Sequence, residues 1–227
     1  MVERAERYVF IGDVHGCLDE LEDLINTIKL GRSDQLVFVG DLVAKGPDSA
    51  GVVALARELG SLCVRGNHDE AVLRIRRARQ ARIFPARAKK THMKVADTLS
   101  ETDWRWLETL PLYLQLPALN ILVVHAGIVP GKPLAQQHPE DLMCMRTLRP
   151  DGTASARLED GVLWADQYQG PEHIVFGHDA ISGLQRAPFA TGLDTGCVYG
   201  RALTALIHPG GELIHQPARR AYREIGR

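Results

Sequence analysis

Five short apolar runs in this chain each stop at a glycine or histidine that opens a polar motif, and that repeated ending constrains the fold more than any other feature. Tyr8-Val9-Phe10-Ile11 runs into Gly12-Asp13-Val14-His15, and Leu36-Val37-Phe38-Val39 into Gly40-Asp41. Leu62-Cys63-Val64 leads to Gly66-Asn67-His68-Asp69, Ile121 to Val124 leads to His125-Ala126-Gly127, and Ile174 to Phe176 leads to Gly177-His178. Runs this short, bounded by glycine and polar residues, read as buried strands. After the first, Leu18, Leu21, Leu24, Ile25 and Ile28 recur at helical spacing. After the second, a helix opens near Asp48-Ser49 and carries Val52, Val53, Leu55, Ala56 and Leu59, and a further helical stretch follows Asp69. Strands alternating with helices predict an α/β fold, a largely parallel, buried inner sheet with helices outside.

Residues from about 71 to 116 read as a helical insertion punctuated by Pro85, Pro111 and Pro117. Strands return at Ile121 to Val124, Ile174 to Phe176 and Leu203 to Ile207. Pro209-Gly210-Gly211 is a turn signal, Leu213-Ile214 closes a final hairpin, and the charged end from Arg219 to Arg227 reads as frayed. With 227 residues and no repeat or linker, a single domain over 1–227 is expected. Apolar residues make up 45% and charged residues 24%, as in ordinary globular proteins. The net charge of −1 argues against nucleic-acid binding by global charge. The apolar runs fall far short of the roughly 20 residues that span a bilayer. The charged N-terminus leads straight into a strand rather than a signal peptide. Cys17, Cys63, Cys144 and Cys197 lack C-x-x-C spacing and read as small buried residues. A cytoplasmic protein without a membrane partner is the expectation, and nothing in the sequence sets an oligomeric state.

A sheet whose strand ends present carboxylates, an amide and imidazoles along one edge can build a metal site, because ligands of open α/β sheets bind beyond the carboxyl ends of the strands. Taken singly, Gly-Asp is an ordinary turn and a histidine after an apolar run an ordinary core residue. Five such endings in one chain make the turn-and-core account a poor one. Imidazole and carboxylate without thiolate suit manganese, iron, zinc or cobalt.

The blocks Gly12-Asp13-Val14-His15-Gly16, Gly40-Asp41-Leu42-Val43-Ala44-Lys45-Gly46 and Gly66-Asn67-His68-Asp69 resemble the signature blocks of the PPP-type phosphatases within the calcineurin-like metallophosphoesterases. The resemblance implies a layered fold with a mixed β-sheet core, flanking helices and a small helical insertion. It also implies two divalent metal ions, manganese first, with cobalt, iron, zinc or magnesium compatible. One ion would be held by Asp13, His15 and Asp41. The other would share Asp41 and add Asn67, His125 and His178. Such a pair activates a water and clamps the phosphoryl oxygens. His68 matches the family's general acid. The family's phosphoprotein phosphatases carry Asp-Arg-Gly in the second block, and that aspartate supports the acid. Here the block reads Ala44-Lys45-Gly46. Either Asp69 or Asp179 substitutes, or the leaving group needs less help, as a phosphoanhydride does. Lys45 keeps the positive charge of a phosphate-gripping arginine but loses its fork. Arg146 falls where related small phosphatases carry a second phosphate arginine, with helix capping or surface pairing as the alternative role.

Ala44, Lys45, Gly46-Pro47-Asp48-Ser49 and Gly177-His178-Asp179-Ala180 look most like the bacterial symmetrical diadenosine tetraphosphatases and the ApaH-like phosphatases. That implies a polyphosphorylated small-molecule substrate, with diadenosine tetraphosphate cut symmetrically as the leading expectation. Inorganic polyphosphate, a capped RNA 5′ end, a phosphoprotein or small monoester, and a non-catalytic binding role are the alternatives. From Arg74 to Lys94 stand six arginines, three lysines and no acid. If this stretch folds over the site, Lys89, Lys90, His92 and Lys94 track a phosphate chain, whereas the arginines read mainly as a solvated face. Trp104, Trp106, Leu107, Leu110, Leu112 and Leu114 are expected to pack the insertion on the sheet. Trp164 and Tyr168 are candidates for adenine stacking, with core packing as the alternative. Asp194 is a candidate to orient a metal histidine, or else a turn residue.

Overall fold

The computed structural model describes residues 5–85 and 88–224. In chain order its elements are β1 (Arg7–Ile11), α1 (Leu18–Ile28), β2 (Asp34–Phe38), α2 (Ser49–Glu58), β3 (Leu62–Cys63), α3 (Asn67–Gln80), α4 (Lys90–Thr98) and α5 (Glu101–Thr109). Then come β4 (Tyr113–Leu116), β5 (Ile121–Val124), α6 (Pro139–Cys144), β6 (Thr147–Leu148), β7 (Ala154–Ser155), β8 (Val162–Leu163) and α7 (Trp164–Gln167). The chain closes through β9 (His173–Phe176), β10 (Gln185–Ala187), β11 (Ala190–Gly192), β12 (Ala202–His208) and β13 (Glu212–Pro217).

The layered, mixed β-sheet core expected from the resemblance is present and consists of two sheets, in the orders β13-β12-β1-β2-β3 and β10-β11-β9-β5-β4, beside a small β7-β6-β8 sheet. The reason is the two-residue period of a strand. Val9, Ile11, Leu36 and Phe38 face α1–α5, whereas Phe10 and Val37 between them face Ile121, Val123 and Val175 of the second sheet. Leu122, Val124, Ile174 and Phe176 turn the other way, onto Leu142, Trp164 and Ala165 of α6 and α7. The layers are therefore helix, sheet, sheet, helix. β1-β2-β3 and β5-β9-β11 pair in parallel, and β12, β13, β4 and β10 are antiparallel additions.

Two expectations need correction. The insertion is helical only through α5, because Pro111 ends the helix, and Leu114 and Leu116 then alternate into the inter-sheet core as β4. The tail is not frayed at Arg219–Tyr222. The Arg219 guanidinium pairs with Asp19 and Asp23, while its backbone N–H and the Tyr222 hydroxyl both donate to Glu20 on α1. Residues 225–227 of that tail and Arg87 of the basic stretch lie outside the described residues. Trp104 and Leu107 pack the insertion into the core as expected, and Cys17, Cys63 and Cys197 are buried free thiols. Among the described residues no helix is long and apolar enough to cross a membrane.

Candidate metal centre

All six predicted ligands converge where β1, β2, β3, β5 and β9 end. Asp41 is the hinge of the group. Its Oδ2 lies 3.5 Å from His15 Nε2 and 3.5 Å from His125 Nε2, between the two groups of candidate ligands. Its Oδ1 accepts the His68 backbone N–H at 2.8 Å, in the first turn of α3. Asp13 stands 3.8 Å from His15 Nε2, and its Oδ1 accepts the His178 backbone N–H at 3.0 Å. Asn67 Oδ1 is 3.2 Å from His125 Nε2 and 3.1 Å from His178 Nδ1.

Backbone carbonyls set the direction of each imidazole. His15 Nδ1 donates to the Val43 carbonyl, His125 Nδ1 to Val39, and His178 Nε2 to Cys144. The other nitrogen of each ring then points to the Asp13, Asp41 and Asn67 oxygens. At His178 the Nδ1 lone pair faces the Asn67 Oδ1 lone pairs at 3.1 Å, and a cation between them removes that repulsion. Asp13 Oδ2 adds a second sign, since it is buried without a hydrogen-bond partner among the described residues. The donor set thus fits a pair of divalent ions sharing Asp41. His15, Asp41 and His68, and separately Asp41, His125 and His178, each bring three candidate ligand atoms within 4.8 Å.

Charges respond to this crowding. Burial, then the Asp194 carboxylate, push the Asp13 carboxyl well above its usual range. Burial also opposes ionisation of Asp41, but His125 and His68 outweigh it and hold that carboxyl well below. At His125 burial works against the charge, yet Asp41 carries the ring up to about 10. Burial brings His68 down to about 4 despite the pull of Asp41, with Lys45 and His92 acting in the same direction as burial.

The backbone around these groups is unusual. His15, Asp41, Ala44, Lys45 and His178 all have positive φ, between 49° and 71°. Such conformations cost energy for residues other than glycine and collect at functional sites.

Beside the ligands lies a polar cavity of about 400 Å³ lined by Asp41, Lys45, Lys89, Arg146, His178 and Asp194 among others. Arg146 is anchored there by Asp179 at 3.3 Å and by the Ala156 carbonyl at 2.7 Å. Lys45 Nζ donates to His15 Nε2 at 2.7 Å and sits 5.2 Å over the Tyr199 ring, a neighbour that no sequence signal marks. An apolar cavity of about 700 Å³ adjoins it, sharing Asn67, His68, Lys89 and Cys144 and continuing to Ile75, Ile83, Phe84 and Met143. Lys89 lines both cavities and Lys90, exposed on α4, lines neither. Lys94 lines a smaller cavity next to Lys45.

Several expected roles fall elsewhere. Asp69 does not reach His68. Its carboxylate accepts the backbone N–H groups of Asp41, Leu42, Val43 and Gly66, stapling two ligand loops together. Asp179 is engaged with Arg146, Ser182 and Gln185. His68 Nδ1 instead lies 2.9 Å from His92 Nε2, a residue the sequence offered only as a member of the basic stretch. Asp194 accepts the Gly196 N–H as a turn residue, and carbonyls rather than Asp194 orient the three candidate-ligand histidines. Trp164 and Tyr168 are buried against Phe176 and are not available to a base, whereas Phe84 is 77% exposed at the apolar cavity. The α3 arginines are consumed by acids: Arg74 and Arg77 by Glu70, Arg76 by Glu101 and Glu108, and Arg79 by Asp97.

A family model described as calcineurin-like phosphoesterase matches residues 6–207. A bis(5′-nucleosyl)-tetraphosphatase PrpE of the asymmetrical kind, from Oceanobacillus iheyensis, is 30% identical, with 93% of this chain and 92% of that protein covered. A symmetrical bis(5′-nucleosyl)-tetraphosphatase from Shewanella oneidensis is also 30% identical, over 87% of this chain and 93% of that one. A crystal structure whose assignment as a diadenosine tetraphosphatase is provisional superposes with a TM-score of 0.86 at 39% identity, covering 96% of both chains.

Proposed function

This chain belongs to the calcineurin-like phosphoesterases, and on that premise we propose that it is a two-metal hydrolase of dinucleoside polyphosphates, cutting diadenosine tetraphosphate into two diphosphates. The observation that carries the two-metal reading is the Asp41 Oδ2 position, 3.5 Å from a ligand nitrogen of each half-site. Asp13, His15 and Asp41 would hold one ion, and Asp41, Asn67, His125 and His178 the other. Bound there, the ions supply a water acidic enough to attack at neutral pH and charge to clamp a phosphoryl group, with manganese the first candidate.

The chain's own groups supply the rest. Lys45 and Arg146 face the polar cavity as cations for phosphate oxygens, Arg146 held in register by Asp179. His68 stands at the junction of the polar and apolar cavities, where a leaving oxygen would lie. Phe84 and Ile83 offer an apolar wall for a nucleoside. Lys89, between the two, suits a leaving group that carries phosphate between the scissile bond and the nucleoside, as every product of a dinucleoside polyphosphate does. Relatives of the asymmetrical kind at the same identity support a second reading, in which the products are a triphosphate and a monophosphate.

The deciding experiment loads the purified protein with Mn, Co, Mg or Zn and resolves the products from diadenosine tetraphosphate, tripolyphosphate, capped RNA, a phosphopeptide and an aryl phosphate. Two ADP per tetraphosphate is the expected outcome, while ATP plus AMP would establish the asymmetrical cut. Turnover of the phosphopeptide with none of any anhydride would replace the reading with that of a phosphoprotein phosphatase. Asp41→Asn should abolish metal binding and turnover together, and biological activity surviving that change would point to a binding module.

A further inference from the structure

We infer that His92, carried on α4 of the insertion, is the positioning residue of His68, taking the place of a carboxylate at position 44. The inference rests on His68 as the group beside the leaving oxygen. His92 Nε2 and His68 Nδ1 are 2.9 Å apart, with ring centroids 5.0 Å apart and planes inclined at 53°. His92 is 6% exposed and sits on the face of α4 that also buries Val95 and Ala96, so the packing of the helix aims the ring. On its other side the His68 ring meets the His15 ring edge-on at 4.9 Å. The His68 backbone is tied separately, through its N–H, to Asp41.

Other carboxylates near His68 are committed. Asp69 is spent on four backbone N–H groups, and Asp179 on Arg146, Ser182 and Gln185. Position 44 is an alanine with φ of 71° and has no side-chain acceptor to offer. With Nδ1 engaged by His92, Nε2 is the nitrogen left to face the cavities that His68 lines. In the reaction the attacking water forms the new P–O bond, and the bond to the leaving oxygen breaks with its electron pair. That oxygen takes a proton from Nε2 of the His68 imidazolium, which becomes the neutral ring, and the proton lost by the water restores the charged form. A neutral imidazole can hold the ring plane and tautomer for this transfer as a carboxylate does, but it adds no negative charge to stabilise an imidazolium.

The test uses the full chain loaded with manganese, as wild type, His92→Leu, His92→Gln, His68→Ala and the double variant His68→Ala/His92→Leu. Substrates are diadenosine tetraphosphate, phenyl phosphate and 4-nitrophenyl phosphate, which differ in how much their leaving oxygen needs a proton. His92→Leu should lower kcat on phenyl phosphate by about 10- to 100-fold with KM little changed, and barely affect 4-nitrophenyl phosphate. His92→Gln, whose Oε1 can accept at nearly the same reach, should recover most of the loss. In the His68→Ala background His92→Leu should add less than about twofold. Equal losses on both aryl esters, failure of a folded His92→Gln to recover, or a fully additive double variant would each overturn the inference. Wild type that cleaves the aryl esters but not diadenosine tetraphosphate would sink the substrate reading alone, leaving the His92 comparison intact.

Discussion

Gly177 and Gly66 show how little room the Asp13 and Asp41 carboxylates have. A Cβ at Gly177 would lie 2.1 Å from Asp13 Oδ1, and one at Gly66 would lie 2.1 Å from Asp41 Oδ1. Each glycine therefore acts as a seat for a carboxylate, and any side chain there displaces the ligand. Gly177→Ala should fold, since its other neighbour at 2.7 Å is the end of the Val39 side chain, yet misplace Asp13. Misplacement of about 1 Å at a catalytic group can cost roughly 10²-fold in rate, and a loss of that size is expected together with less than full metal occupancy. Elemental analysis and turnover on a sample with native circular dichroism would measure both, and normal values for both would refute the account. Lys45 makes a different prediction. Its ammonium contacts His15 Nε2 and the Tyr199 face rather than a buried carboxylate, so it can swing to a phosphate at small cost. Lys45→Met should raise KM for diadenosine tetraphosphate by about tenfold, as loss of a partly screened charge contact does. Steady-state kinetics would show it, and an unchanged KM would remove Lys45 from substrate binding.

Strands must be held in register before their ends can form a site, and at the opposite end of β1 and β2 that hold is visible. Arg7 grips Asp34 with two nitrogens, Nε at 3.0 Å and Nη2 at 2.5 Å, and the Gly31 N–H donates to the same carboxylate at 2.7 Å. The Arg7 hydrogen bond, opposed by burial and aided by Gly31, lowers the Asp34 pKa below its ordinary value. A depressed carboxylate gives stability that is complete above its unfolded pKa of about 3.9 and fades as pH falls through the lower folded value. Asp34→Asn should therefore cost about 1–2 kcal/mol at pH 7, and the gap to wild type should close below about pH 4. Urea denaturation of both proteins across that range is the measurement, and a gap independent of pH would show that charge plays no part.

The same strands explain what could be read in advance. The five strand ends that carry the candidate ligands were legible because each polar group follows closely on an apolar run, so local sequence and candidate site coincide. That there are two sheets was not, because the alternation hides inside all-apolar runs such as Val9-Phe10-Ile11, buried on both faces. β4 was obscured by leucines at 107, 110, 112 and 114 that suit a helix as well as a strand. His92 meets His68 only through the packing of α4 on α3, 24 residues along the chain, and carries no local mark.

At the scale of the whole molecule the site joins the two sheets. Asp13 and Asp41 follow β1 and β2 of one sheet, while His125 and His178 follow β5 and β9 of the other. The Asp13 contact to the His178 backbone already crosses that boundary, and so do the His125 contacts to Asp41 and to the Val39 carbonyl. A divalent ion shared by ligands from both sheets would bind the folded sandwich and have little affinity for separated strands, so its binding free energy would be folding free energy. At a metal concentration about 100 times Kd, linkage adds about 2.7 kcal/mol, which for a chain of this length raises Tm by roughly 5–10 °C. Manganese added to chelator-treated protein should produce a shift of that order, followed by calorimetry or near-UV circular dichroism. Asp41→Asn removes the ligand common to both half-sites and should abolish the whole shift. His15→Ala, which opens only the half-site held from the first sheet, should keep the part contributed by Asn67, His125 and His178. Equal, undiminished shifts in all three proteins would mean that the ion binds elsewhere and that Asp41 is not the bridge.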